Sequence, residues 1–297
     1  MTTTEGTSPG PGLRAVESGP ETLFRVGRPA ADGVTVRSAM PEGPWLNGPD
    51  GRPSAGSLGV LIDNVLGYAI MLRRPPGGWS VSAEISLDLC GRGLLDQPPP
   101  GARLILAETR ADHVDKAGGI ASGVVTDDSG RVLALCRQHG RWVNAAPVPA
   151  APEARPAPSW PQPGRAGFTE VLGIPAAADG GAHLDLPVTS DVVNPLADLH
   201  GGIALWVCEL VAQAAAGSNG GRWHTASIRV AYPRPLPLGT VASFEGRVLH
   251  RGRTFAVTQV TASNGSGKPC VLATVTMGAP GTAEGRPAQF TGQRGHR

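Results

Sequence analysis

A strand, a glycine-led apolar helix and four more strands occur twice along 297 residues, and this duplication limits the fold more than any single motif does. The first copy opens with the strand "GVTVRSAM" from Gly33, the second with "AHLDLPVT" from Ala182. The helices follow as "AGSLGVLIDNVLGYAI" from Ala55 and "GGIALWVCELVAQAAA" from Gly201, with expected spans Ala55–Leu72 and Gly201–Ala216. Runs of β-branched and alternating residues then predict four strands in each copy. The first set is "WSVSAEISLDL", "GARLILAETRADH", "AGGIASGVVT" and "RVLALCRQ"; the second is "WHTASIRVAY", "GTVASFEGRVLHR", "TFAVTQVTAS" and "CVLATVTMG". Tight turns "DDSG" and "NGSG" precede the last strand of each. Ala55-Gly56 aligns with Gly201-Gly202, and seven positions on Asp63 aligns with Glu209. The first copy carries an extra loop, "GRGLLDQPPP". The period is too long for a solenoid. It describes a duplicated α+β unit, in which each helix is apolar nearly all round because it lies against an antiparallel sheet.

Between the copies lies "NAAPVPAAPEARPAPSWPQPGR", a Pro/Ala stretch without apolar period that reads as an extended linker. The expected organisation is a disordered tail over 1–20, a first domain over 21–143, the linker over 144–166, a second domain over 167–280 and a disordered tail over 281–297. The net charge is +2 and the basic residues are dispersed, which excludes a nucleic-acid partner of the usual basic-patch type. The four cysteines show no metal-ligand spacing and sit in apolar segments, as reduced thiols do in a cytoplasmic protein. The start lacks the basic and apolar regions of a signal peptide, and no apolar run approaches the ~18 residues of a membrane span. No metal or cofactor is expected.

One stretch carries chemistry. "NPLADLHGGIALWVCELVAQAA" runs Asn-Pro, His-Gly-Gly and then apolar residues interrupted by Glu209, nine residues after His200. A helix start offers free N–H groups and the positive end of a dipole. Gly201 and Gly202 would let a substrate carbonyl approach that backbone, as an oxyanion hole requires. Glu209, close to the same face as Gly202, could act as nucleophile or general base, with Ile203, Leu205, Val207 and Leu210 as an apolar wall. Plainer readings stand beside these: Glu209 could pair with a buried Arg, His200 could cap the helix, and the glycines could serve close packing. Arg234, Arg251 and Arg253, near strand ends, suit phosphate groups or are solvated turn charges.

The element order and "N-P-x4-H-G-G-x6-E" resemble the hotdog-fold acyl-CoA thioesterases of the phenylacetate-degradation and enterobactin/menaquinone proofreading type, over residues 30–143 and 168–280. The resemblance implies a tandem double hotdog forming a pseudo-dimer that hydrolyses acyl-CoA to free acid and CoA, in lipid metabolism. By resemblance His200 orients the thioester, the Gly201 N–H polarises its carbonyl, and Glu209 is the catalytic carboxylate. Asn194 stands where relatives position water or substrate, and Gln213 stands where they often have Ser or Thr. The first copy is degenerate, with Ser54 for the His, Ala55 for the first Gly, Asp63 for Glu209 and Gly67 for Gln213. Sites of this fold lie between facing helices, so Asp63 or Asn64 could reach the site built on Glu209, and Asp63 could be a second catalytic acid. A homodimer of such double units is the further pairing the resemblance implies.

Other classes fit less well. A hotdog hydratase would carry a His where this chain has Ala197. A non-catalytic acyl-CoA-binding module would be expected to lack the acid at Glu209. A DNA-binding regulator would need a helix-turn-helix or a basic region. Low aromatic content, 4%, gives no sign of an aryl pocket, and the acyl group is not legible.

Overall fold

The computed structural model describes residues 19–91, 104–144, 169–218 and 220–279. Nearly all of the linker, most of the extra loop and nearly all of both tails lie outside the described residues. The first unit contains α1 (Gly19–Leu23), β1 (Ala30–Asp32), β2 (Thr35–Pro41), α2 (Gly59–Met71), β3 (Trp79–Leu89), β4 (Leu104–Val114), β5 (Gly118–Asp127) and β6 (Val132–Val143). The second contains α3 (Thr169–Leu172), β7 (Ala176–Ala178), β8 (Gly181–Pro187), α4 (Gly201–Gly217), β9 (His224–Ala231), β10 (Val241–Arg251), β11 (Phe255–Ser263) and β12 (Pro269–Gly278).

All strands join one 12-stranded sheet in the order β1-β2-β4-β5-β6-β3-β9-β12-β11-β10-β8-β7, and the second half of that order mirrors the first. The halves meet where β3 pairs antiparallel with β9, Leu87 opposite Ile228 and Ser86 opposite Arg229. Alternation decides which face looks inward: along β4, Ile105, Ala107 and Thr109 are buried while Leu104, Leu106 and Glu108 are exposed. The inward faces of both halves cover α2 and α4, which explains why the helices are apolar all round. Each packs on its own sheet and on the other helix.

The helices run antiparallel and cross at glycine. A Cβ on Gly59 would stand 2.3 Å from the Gly202 carbonyl oxygen, and one on Gly202 would stand 2.3 Å from Gly59 backbone atoms. Backbone cannot yield as a side chain can, so both positions demand glycine. Gly202→Ala is expected to cost about 1–3 kcal/mol by overpacking. Gly217→Ala, where a Cβ meets nothing within 4 Å, should be neutral or stabilising. Thermal melts of the two variants check this; equal melting temperatures would show that the helices can separate cheaply.

The expected helix Ala55–Leu72 differs in its first turn. Ala55–Leu58 is a 3-10 turn that leads into α2. The reason is tertiary: the Ala55 and Gly56 N–H groups are drawn onto Glu209. The short edge strands β1 and β7 were not expected, since three residues are too few to show alternation.

Candidate active site

Crossing the helices antiparallel sets the start of each against the second turn of the other. Gly202 at the start of α4 donates its N–H to Asp63 Oδ2 of α2 at 3.0 Å. Reciprocally, Gly56 donates to Glu209 Oε2 of α4 at 2.6 Å. Each acid therefore serves the glycine turn of the other unit. The expectation that Glu209 shares a site with His200 is corrected here. Seven residues do return to the same helix face, but they also rise about 10 Å, which carries Glu209 past its own helix start.

The Asp63 end opens onto a cavity. A cavity of about 460 Å³ is lined by Asp63, Asn64, Ser82, Gln138, His200 and Gly201, among others, and Glu209 is not in its wall. Asp63 Oδ1 accepts from Ser82 Oγ at 2.7 Å. The Ser82 hydrogen is thereby used, so Ser82 Oγ accepts in turn from Gln138 Nε2 at 3.0 Å. This fixes the Gln138 amide and leaves its Oε1 buried without a partner; Asn64 Oδ1 is in the same condition. Such atoms cost about 1–3 kcal/mol each unless water or ligand meets them. The Gly201 carbonyl accepts from Tyr232 Oη at 2.8 Å, whereas its N–H bonds no acceptor among the described residues. Burial, then Asp63, pushes the Tyr232 phenol well up, so it stays a neutral donor.

His200 is 4% exposed and caps α4, Nδ1 accepting from the Gly202 N–H at 3.1 Å. Nδ1 also lies 3.3 Å from Asp63 Oδ2, and Nε2 lies 3.4 Å from Glu21 Oε1 of α1. Burial works against a charge on the ring, but Asp63 and Glu21 outweigh it and hold the His200 pKa above its ordinary value. Both ring nitrogens are engaged by protein, so the expected direct contact of His200 with a thioester is not what the geometry offers.

The Glu209 end is sealed. Its carboxylate is fully buried and accepts from Ser54 Oγ, from Gly56 N–H, from Ala55 N–H at 3.2 Å and from Gln213 Nε2 at 3.2 Å. Trp206 Nε1 donates to Ser54 Oγ at 2.6 Å and its ring meets Phe24 edge-on. Gln213, which stands where relatives often have Ser or Thr, bridges Glu209 to Thr225. In the open unit the amide comes from a strand, Gln138, and the helix position aligned with Gln213 is Gly67, where a Cβ would meet only Gln138 Nε2 at 3.8 Å.

The remaining candidates divide. Asn194 and Arg234 line the cavity. Asn194 Oδ1 holds its own loop through the Leu196 and Asp198 N–H groups, and Arg234 Nη1 donates to the Pro269 carbonyl at 2.7 Å. Arg251 lies outside the cavity wall, its Nη2 donating to the Ala215 carbonyl at 2.9 Å at the far end of α4. Arg253 is exposed in the β10–β11 turn, outside the cavity wall. Residues that sequence reasoning passed over are Glu21, Ser82 and Gln138. Gln138 had a signal, a polar residue at an inward position of a strand whose other inward residues include Leu133 and Cys136. Burial pushes the Cys136 thiol up to about 12 and Cys208 higher still, so neither is a thiolate nucleophile. No metal-ligating cluster occurs among the described residues, and no helix among them is long and apolar enough to cross a membrane.

Comparison with known proteins fits this architecture. The acyl-CoA thioesterase C-terminal domain model matches residues 19–141, and the N-terminal domain model matches residues 189–278. The chain belongs to the acyl-CoA thioesterase family, with its two domain types in reverse order along the chain. Among solved structures it is similar to the tesB protein of Mycobacterium avium subs paratuberculosis, at 13% identity, TM-score 0.57, covering 88% of this chain and 98% of that one. It is also similar to a putative oleoyl thioesterase of Lactobacillus plantarum, at 14% identity, TM-score 0.56, covering 84% of this chain and 98% of that one. A Streptococcus mutans protein solved with acetyl CoA matches at 26% identity and TM-score 0.34, over 35% of this chain and 84% of that one. No curated protein matches in sequence.

Proposed function

We propose that the protein hydrolyses an acyl-CoA thioester in the cavity between α2 and the start of α4, with Asp63 as general base. The observation that carries this is a carboxylate held in an accessible cavity on one side of a helix start whose Gly201 N–H bonds no acceptor among the described residues. Asp63 takes a proton from water as the water oxygen bonds to the thioester carbon. The Gly201 N–H, with the dipole of α4 behind it, receives the charge that develops on the carbonyl oxygen. The C–S bond then breaks, and the proton on Asp63 passes to the CoA sulfur. One water and one thioester thus give one acid and one thiol.

The residues around Asp63 support base rather than nucleophile. Ser82 and Gly202 pin one oxygen each, which hinders the carboxylate turning onto a carbonyl carbon. Gln138 Oε1, unpartnered and wired to Asp63 through Ser82, is placed to accept the water's second hydrogen. Arg234 in the cavity wall suits a CoA phosphate. On this reading the units, 21–143 and 167–280, act as a pseudo-dimer with one working site, and the Glu209 counterpart is structural.

The test is release of free thiol from acyl-CoAs from acetyl to oleoyl and phenylacetyl. Turnover by the wild-type chain and its loss in Asp63→Asn is the expected result; binding without release would make the protein an acyl-CoA-binding module instead.

A further inference from the structure

We propose that Glu21 is a positioning residue of this site, holding His200 against Asp63 and tying the α2 turn that carries Asp63 to the start of α4. The proposal rests on the thioesterase reading above. Glu21 belongs to the five-residue α1 and is 6% exposed. Its Oε1 accepts from Asn64 Nδ2 at 3.0 Å and lies 3.4 Å from His200 Nε2. Asn64 follows Asp63 in the chain, and His200 precedes Gly201. A single carboxylate oxygen therefore links the element carrying the base to the element carrying the oxyanion donor.

The other side of the imidazole says what this linkage does. Nδ1 is 3.3 Å from Asp63 Oδ2 and 3.1 Å from the Gly202 nitrogen. Two hydrogen-bond patterns fit. In the imidazolium, Nε2–H donates to Glu21 and Nδ1–H donates to Asp63. In the neutral ring, Nε2–H still donates to Glu21, and Nδ1 accepts from the Gly202 N–H. Glu21 thus fixes the ring in both states and confines proton exchange to Nδ1, the nitrogen facing the base. An imidazolium between the two carboxylates also offsets their mutual repulsion. The remaining ionisable groups in the wall of this cavity are Tyr68, Asp198, Tyr232, Arg234 and Arg141, and burial raises Tyr68. Tyr232 is kept neutral by burial, and burial likewise raises Asp198.

The test uses the full chain with Glu21→Gln and Glu21→Ala, read by the pH profile of acyl-CoA hydrolysis and by NMR titration of the His200 ring. Glu21→Gln keeps an oxygen for Asn64 and Nε2–H but removes the charge. His200 should then titrate lower, and the basic limb of kcat should move down with it. Glu21→Ala removes the linkage as well, and kcat should fall about tenfold or more at little change in KM. Unshifted ring titration and pH profile in both variants would overturn the role. So would a lower melting temperature in Glu21→Ala with kcat and its profile unchanged, which marks a purely structural residue. Absence of turnover in the wild-type chain would instead bring down the thioesterase reading, and the positioning role with it.

Discussion

Asp63→Asn is expected to lower kcat for acyl-CoA hydrolysis by about a hundredfold to ten-thousandfold, the range for loss of a general base. KM and the melting temperature should change little, because the hydrogen bonds can be remade. The amide oxygen can accept the Gly202 N–H, and the amide nitrogen can donate to Ser82 Oγ, which already accepts from Gln138 and has a second lone pair. What is lost is the ability to take a proton from water. A Ser82→Ala variant should show a smaller loss, since it frees one carboxylate oxygen without removing the base. Steady-state thiol release with a parallel thermal melt separates these effects. Should Asp63→Asn keep more than a tenth of wild-type kcat while Glu209→Gln destroys it, the working site would lie in the other unit.

The duplicated pattern made most of the architecture legible. Strand alternation such as Ile105, Ala107, Thr109 against Leu104, Leu106, Glu108 is a local signal that the sheet only has to use. The close approach of Gly59 and Gly202 was half visible: the glycines stand out, but packing and oxyanion chemistry ask for the same residue, and the structure uses Gly202 for packing and to hold Asp63. The pairing of acid with helix start was not visible, because it depends on the helices crossing antiparallel. That is a relation between residues 139 apart in the chain, Asp63 and Gly202. The sharper motif therefore drew attention to Glu209, although His200-Gly201-Gly202 sits against the acid of the degenerate unit. Glu21 was beyond reach for the same reason, lying in a five-residue helix too short to show a period.

Glu209→Leu is expected to destabilise the protein by about 3–5 kcal/mol, as removing one partner of a buried polar cluster does. The Ser54 hydroxyl and two backbone N–H groups lose their acceptor, and the Gln213 amide loses one of its two, in a fully buried site. Glu209→Gln should cost less, because Gln213 can turn its amide oxygen towards the new NH₂ and Thr225 can rotate its hydroxyl to follow. In that variant kcat per folded molecule should stay near wild type. The pH dependence distinguishes charge from shape. Burial pushes Glu209 up from the ordinary carboxylate value, and the donors on Ser54, Thr225, Gly56 and Ala55 reduce that shift without cancelling it. A carboxyl whose folded pKa is raised contributes stability that is full below its unfolded pKa and is lost as pH rises through the folded one. The gap in melting temperature between wild type and Glu209→Gln should therefore be widest in acid and narrow as pH rises from about 4.5. His200 and the other titrating groups are common to both proteins and cancel in the difference. A Glu209→Leu variant that melts with the wild type would show that the cluster does not hold the helices, and a Glu209→Gln variant that melts normally but fails to turn over would return catalysis to the acid that the motif first singled out.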